Sequence, residues 1–200
     1  AHTVTAIPHG KGARWIVIGA GGRAGWVPST FRMWKGNVKK EDYHSEMNGA
    51  VFRDWVHNHL LPNMPSNGVI VMDRASYHVE LTDASKGAMQ QMKKSDLIAW
   101  LLGHDAAKDN GALYEEAELK AMHKTMVWVL CQERKPARKF KIFDWLRDWN
   151  AAHSSDIKCN ILPVAHPQLN PIELLWNWMK KYVSINNPDF SMVTIERVAR

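Results

Sequence analysis

Thiols and long apolar segments are scarce in this sequence. Its two cysteines, Cys131 and Cys159, do not have the spacing of metal ligands, and both a single disulfide and two free thiols in a reducing compartment stay open. No apolar run approaches the ~20 residues that a membrane-spanning helix needs, so we expect no membrane partner. The first residues lack the charged and apolar regions of a signal peptide, and without an initiator Met we expect a processed product or a fragment.

Acidic residues are also in the minority. The chain has 26 Lys and Arg against 20 Asp and Glu, and its net charge of +6 favours an anionic partner such as nucleic acid, although an ordinary basic globular protein has the same balance. A length of 200 residues, 46% of them hydrophobic, suits one domain with its own core. The ten tryptophans predict core packing first and base stacking second.

Apolar patterns along the chain predict an α/β fold. Residues 14–20 and 25–34 are expected to pair as a hairpin around Gly21 and Gly22, with Pro28 near a sheet edge. Two further strands are expected within 68–73 and 154–163, the first covered on both faces as in a parallel sheet. Helical spacing predicts helices at 45–61, 95–102, 115–132, 140–149 and 170–185. We interpret the segment at about 84–150 as a helical insertion within a single domain, 1–200.

Asp73 ends the apolar run of residues 68–73. In an open α/β sheet, ligands collect at the carboxyl ends of the strands, which is where this carboxylate is expected. Divalent cations prefer oxygen ligands, and converging carboxylates can hold a pair of them about 4 Å apart. The alternative is a turn residue that bonds its own backbone.

Glu173 is expected in the first turn of the helix at 170–185. Asn170, Pro171 and Glu173 are spaced almost as in a capping box, so Glu173 could serve only the helix end. The helix pattern predicts an apolar stripe, with Glu173 on the other side together with Lys180 and Lys181, a face suited to a phosphate backbone. The stripe consists of Ile172, Leu175, Trp176, Met179 and Val183.

Other polar residues give weaker signals. His78 and His166 belong to no ligand set and are interpreted as structural histidines. The segment 134–141 is either a solvated loop or a contact to a DNA backbone. The candidate nucleic-acid-binding residues are Arg74, Lys180, Lys181, Arg134, Lys135, Arg138 and Lys139.

Three segments, taken together, form a pattern that is specific enough to indicate a protein family. They are residues 42–48 (DYHSEMN), 69–78 (VIVMDRASYH) and 166–176 (HPQLNPIELLW). In this order they resemble the catalytic core of mariner-type DDE transposases and of the related bacterial insertion-sequence transposases. The similarity extends from about Gly10 to the end of the chain, and the third segment is its strongest part.

The resemblance implies an RNase H-like fold, in which a mixed sheet is flanked by helices and a helical insertion separates the second and third acidic positions. Asp73 would match the second metal-binding acid of the family and Glu173 the third, with Mg²⁺ or Mn²⁺ as cofactor. The implied reaction is metal-dependent DNA strand cleavage and strand transfer at transposon ends, with end and target DNA as partners and a homodimer as a further assembly. The implied compartment is the nucleus in a eukaryote and the cytoplasm otherwise.

The chain departs from the family pattern at three points. The family's first Asp, on the first and central strand, and its paired DNA-binding helices would both precede Ala1; Glu41 and Asp42 do not match that Asp. Arg74 stands where the family usually has Asn, and its charge would repel metal ions or reach a phosphate. Without the first strand, two sheet edges would be open unless residues 2–7 or a second chain fill the gap. An incomplete enzyme and a catalytically inactive, domesticated or decayed derivative that binds DNA or protein are therefore both retained.

Overall fold

The computed structural model describes residues 14–36, 47–104, 107–187 and 191–199, and these form a mixed α/β structure. The strands are β1 (Arg14–Ile18), β2 (Gly21–Gly22), β3 (Gly25–Trp26), β4 (Arg32–Gly36), β5 (Val69–Met72) and β6 (Lys158–Ile161). The α-helices are α1 (Gly49–Trp55), α2 (Lys94–Leu102), α3 (Glu116–Ala121), α4 (Lys124–Glu133), α5 (Lys141–His153), α6 (Ile172–Asn186) and α7 (Met192–Ala199). None of the helices in this part of the chain has both the length and the hydropathy that a membrane crossing requires.

The predicted hairpin is formed by nested antiparallel pairs. Strand β1 pairs with β4 in the register Arg14 to Gly36, and the short strands β2 and β3 pair between them. The prediction of one continuous strand over 25–34 is wrong, because the chain turns between β3 and β4. Pro28 has no backbone N–H to donate and Ser29 has a positive φ of 62°, so neither continues a strand.

Strands β5 and β6 form the predicted parallel pair, with Val69 opposite Lys158 and Met72 opposite Ile161. The prediction that β5 is covered on both faces is wrong. Ile70 and Met72 are buried, whereas Val69 and Val71 are 53% and 43% exposed. Within the described residues β5 pairs with β6 alone, and a two-stranded sheet has fewer neighbours to cover its second face.

Several expectations fall on residues that the structure does not describe. Residues 2–7, which were expected to fill the gap beside β1 and β5, lie outside the described ranges. The same is true of Glu41, Asp42 and most of the segment 42–48. Within the described residues, β1 and β5 belong to separate two-stranded sheets, so the expectation of a missing central strand stays a prediction.

Helix α1 begins at Gly49, later than the predicted helix over 45–61, and residues 45 and 46 lie outside the described ranges. The Asn48 side chain accepts hydrogen bonds from the N–H groups of Ala50 and Val51, at 2.9 and 3.1 Å, and so caps the helix. A π-helical turn (Val56–Leu60) and a 3₁₀ turn (Leu61–Asn63) continue it. The buried residues of α1 and these turns are Phe52, Trp55, Val56, Leu60 and Leu61.

The chain forms two compact units. The first contains Ala1–Glu80 and Ile142–Arg200, and its core combines α1, β5 and α5 residues such as Phe52, Ile70 and Leu146. The second is Leu81–Lys141, whose core comes from α2, α3 and α4. The predicted insertion at 84–150 contains most of this second unit and continues into α5. Its assignment to a single domain stays a prediction.

Helix α6 lies against the hairpin of the first unit. The predicted stripe of Ile172, Leu175, Trp176, Met179 and Val183 is confirmed, since these are the half-buried residues of the helix. The Trp176 ring contacts the Trp26 ring at a centroid distance of 5.5 Å, and Trp26 also packs edge-on against Phe31 at 5.3 Å. Gly19 lies directly beneath Trp26, since a Cβ there would be 2.6 Å from the ring. These contacts fix the position of the helix that carries Glu173.

Candidate functional site

A cavity of about 660 Å³ in the first unit is lined by both predicted acids, Asp73 and Glu173. One wall is formed by all four residues of β5, and another by Val17 and Ile18 of β1. The first residues of α6 and the loop before it form a further part. The carboxyl end of a parallel strand and the amino end of a helix therefore meet at one space, which is the usual place for a ligand in an α/β sheet.

Asp73 directly follows β5 and presents one carboxylate oxygen to its own turn. Its Oδ1 accepts hydrogen bonds from the Ala75 N–H at 3.3 Å and from His78 Nδ1 at 2.7 Å. Among the described residues, none bonds to the other oxygen, Oδ2. The side chain is 41% exposed. Asp73 therefore acts as a turn residue through Oδ1 alone, which leaves Oδ2 available to another ligand.

The environment of Asp73 is aromatic. Tyr77 and His78 also line the cavity, and the two rings contact each other edge-on at 4.6 Å. Burial raises the pKa of the Tyr77 hydroxyl, and the negative charge of Asp73 raises it further. Tyr77 therefore stays a neutral hydroxyl beside the carboxylate.

Glu173 lies in the first turn of α6, and its side chain is exposed. The capping-box alternative is not formed. The helix begins at Ile172 with Pro171 as its N-cap, and no side-chain hydrogen bond caps it. The loop before it is fixed by the backbone instead, because the Glu173 N–H donates to the carbonyl of the buried Asn170 at 3.1 Å. The Glu173 carboxylate is therefore not used by the helix end.

Two carboxylates are the donors that Mg²⁺ and Mn²⁺ take, but two do not complete a site. Among the residues that the structure describes, no group of three or more His, Cys, Asp or Glu side chains is close enough to hold a metal ion. Asp73 and Glu173 have the carboxylate oxygens that the predicted metal takes, but Asp73, His78 and Glu173 do not form such a group, and further ligands have to come from elsewhere.

The cysteines supply no alternative chemistry at neutral pH. Both are free thiols, so the disulfide left open by the sequence is not formed. Burial raises the pKa of the Cys159 thiol to about 11, and burial also raises the pKa of Cys131. Because the thiolate is the reactive form, neither residue is an effective nucleophile near pH 7.

The candidate nucleic-acid-binding residues fall in both units. Arg74, Lys180 and Lys181 belong to the first unit and are exposed. Lys135, Arg138 and Lys139 belong to the second and are also exposed. Arg134 differs from them, because its guanidinium donates to the carbonyls of Leu130 and Ala107 and is half-buried. It serves the packing of the second unit.

His78 has a closer part in this site than its sequence context indicates. His78 was interpreted as a structural histidine, whereas its ring bonds Asp73 directly. The spacing of His78 from Asp73 was the available signal. A side chain five positions after an acid at the end of a strand can contact that acid when a single turn lies between them. His166 remains apart from the acids; it is exposed, and its Nδ1 lies 2.7 Å from the Val164 carbonyl.

No family model, curated protein or solved structure matches this chain. The functional interpretation therefore depends on the residues and on the geometry of the cavity.

Proposed function

We propose that this chain is a transposase-derived DNA-processing domain with an RNase H-like fold, in which Asp73 and Glu173 are two of the acids that hold Mg²⁺ or Mn²⁺. The observation that carries the proposal is that both acids line one cavity although 100 positions separate them in the sequence. The resemblance in the segments around them assigns these same two residues. A third acid, which the described residues do not supply, completes the set.

Several features of the fold support the proposal. An antiparallel hairpin, a parallel strand pair and flanking helices are the parts of a mixed RNase H-like sheet. Asp73 lies at the carboxyl end of β5 and Glu173 at the amino end of α6, so both carboxylates approach the cavity from rigid elements. When bound, divalent cations activate the attacking oxygen and stabilise the leaving oxygen at phosphorus.

The remaining residues of the site position the acids and the DNA. Asp73 lines the cavity, and its Oδ2 accepts no hydrogen bond from the described residues. The Glu173 carboxylate does not cap the helix that carries it. Lys180 follows Glu173 by seven residues, about two helical turns, and lies on the solvent side of α6, where it can contact a phosphate backbone.

The test measures Mn²⁺ binding, by electron paramagnetic resonance, to the wild-type chain, Asp73→Asn and Glu173→Gln. We expect each substitution to weaken binding by about tenfold or more, because each removes a charged oxygen ligand. Asp156→Asn is the matched control, since that exposed carboxylate pairs with Lys158 and does not line the cavity. Mn²⁺ binding that is the same in all four proteins would refute the assignment of the site.

A second measurement separates the enzyme from an inactive derivative. The specific observation that favours the inactive derivative is that the described residues bring only two acids to the cavity. Supercoiled plasmid is incubated with Mn²⁺ and each protein. Nicking by the wild type that is lost in Asp73→Asn supports the enzyme. DNA and Mn²⁺ binding without nicking by the wild type supports the binding module.

A further inference from the structure

The two acceptors close to His78 Nδ1 indicate the direction of its bond to Asp73. His78 Nδ1 is 2.7 Å from Asp73 Oδ1 and 3.2 Å from the Asp73 backbone carbonyl. A carbonyl oxygen and an ionised carboxylate both accept hydrogen bonds and cannot donate them. Nδ1 must therefore carry the proton and donate it to Asp73.

The imidazole is held in place independently of Asp73. Its ring packs on Phe52 at a centroid distance of 4.7 Å, and Phe52 is a 2%-exposed core residue of α1. The backbone around it is a closed turn, because the N–H groups of His78 and Val79 both donate to the Ala75 carbonyl. The His78 side chain is itself only 18% exposed. A fixed donor therefore faces the Asp73 carboxylate, whose other hydrogen bond, from the Ala75 N–H, is longer at 3.3 Å.

We propose that His78 is a positioning residue that fixes the Asp73 carboxylate through Nδ1–H···Oδ1, so that Oδ2 is presented to the divalent cation in the cavity. The inference rests on the proposed function. Hydrogen-bonded partners of ligating carboxylates orient them, and loss of such a partner typically weakens metal binding ten- to a hundredfold. His78 does not contact the cation in this arrangement; it acts through Asp73.

Two substitutions separate the hydrogen bond from the packing. His78→Leu keeps apolar contact with Phe52 but has no donor, whereas His78→Asn places an amide N–H close to the position of Nδ1 but loses most of the contact. If the hydrogen bond positions Asp73, His78→Leu weakens Mn²⁺ binding by about tenfold and His78→Asn weakens it by much less. If only packing matters, the order is reversed. His78→Met is a second variant without a donor, and thermal unfolding identifies any variant that is not folded.

The tautomer of His78 gives a test without metal. In the metal-free protein at pH 8, two-bond ¹H–¹⁵N correlation spectra are expected to show a protonated Nδ1, assigned by its absence from the His78→Asn spectrum. A bare Nδ1 with the proton on Nε2 would overturn the proposal.

The metal experiment distinguishes the two proposals. Equal Mn²⁺ affinity in the wild type, His78→Leu and His78→Met overturns the role of His78 even when Asp73→Asn abolishes binding. Unchanged affinity in Asp73→Asn overturns the metal site itself, and the positioning role with it.

Discussion

At the residue scale, Thr30 shows how a buried hydroxyl can hold a turn. The side chain is fully buried, and its Oγ1 lies 2.6 Å from the Val27 carbonyl and 3.2 Å from the Ala20 N–H. Its own carbonyl accepts the indole N–H of Trp55 at 2.7 Å. One residue therefore joins the two ends of the β2–β3 ribbon to helix α1, and it does so beside the cavity wall.

We expect Thr30→Val to destabilise the protein more than Thr30→Ser. Valine keeps the size of threonine but leaves the part-buried Ala20 N–H without its hydrogen-bond partner, at a cost of about 2 kcal/mol. Serine keeps the hydroxyl and loses one methyl group, at a cost of about 1 kcal/mol. Urea unfolding followed by tryptophan fluorescence measures both. The opposite order would mean that the methyl group, and not the hydroxyl, stabilises the turn.

At the scale of the element, helix α6 has two tryptophans in different surroundings. Trp176 is half-buried against Trp26, whereas Trp178 is 63% exposed and stacks on the exposed ring of Tyr182 at 5.5 Å. The exposed apolar residues of this helix are Leu174, Trp178, Tyr182 and Ile185. The half-buried side of the helix thus positions Glu173, and the exposed side contributes little to folding.

We expect Trp176→Ala to lower the free energy of unfolding by about 2 kcal/mol and Trp178→Ala by less than about 1 kcal/mol. The same pair should differ in function, because only the first substitution releases the helix that carries Glu173. Chemical denaturation and Mn²⁺ titration of the two variants measure both effects. Weaker Mn²⁺ binding in Trp178→Ala than in Trp176→Ala would contradict this account of α6.

The elements were predictable from local pattern, and their interruptions were not. Strands β1, β5 and β6 and helices α2, α5 and α6 lie where apolar spacing predicts them. The helix expected over 115–132 is instead two, α3 and α4, because the His123 side chain accepts the Thr125 N–H and begins a new helix. The π-helical turn after α1 likewise depends on tertiary packing, since no local residue signals it.

At the scale of the whole molecule, the two units have separate cores. Leu97, Leu101, Leu119 and Val127 in the second unit are all fully buried, and they pack on one another and on Cys131. The core of the first unit, around Phe52 and Trp55, is made of different residues. Opening of the second unit can therefore take place with the first core intact.

Leu119→Ala tests this separation. We expect it to cost about 3 kcal/mol, because it leaves a cavity in a fully buried position. Hydrogen exchange read by mass spectrometry should accelerate in α2, α3 and α4 and change much less in β5, β6 and α1. Equal acceleration in all of these segments would mean that the chain opens as one cooperative unit. Mn²⁺ binding should remain as in the wild type.

The candidate site was only partly predictable from the sequence. Asp73 and Glu173 were identified from their local surroundings, because neighbouring residues predict both the end of a strand and the start of a helix. Their approach to one cavity depends on contacts between distant residues, such as Trp26 with Trp176, which have no local signature. The pairing of His78 with Asp73 depends on the closed turn between them.

The close contact between Gly19 and the Trp26 ring makes the site sensitive to substitution of Gly19, although this residue has no side chain. Alanine at position 19 would place its methyl group where the indole now lies, and the indole would have to move. Since Trp26 supports Trp176, the displacement would reach α6 and shift Glu173 relative to the cavity. Drift in a diverging lineage could thus move one carboxylate out of the cavity with both acids still in the sequence, and counting acids in a relative's sequence would not reveal that loss.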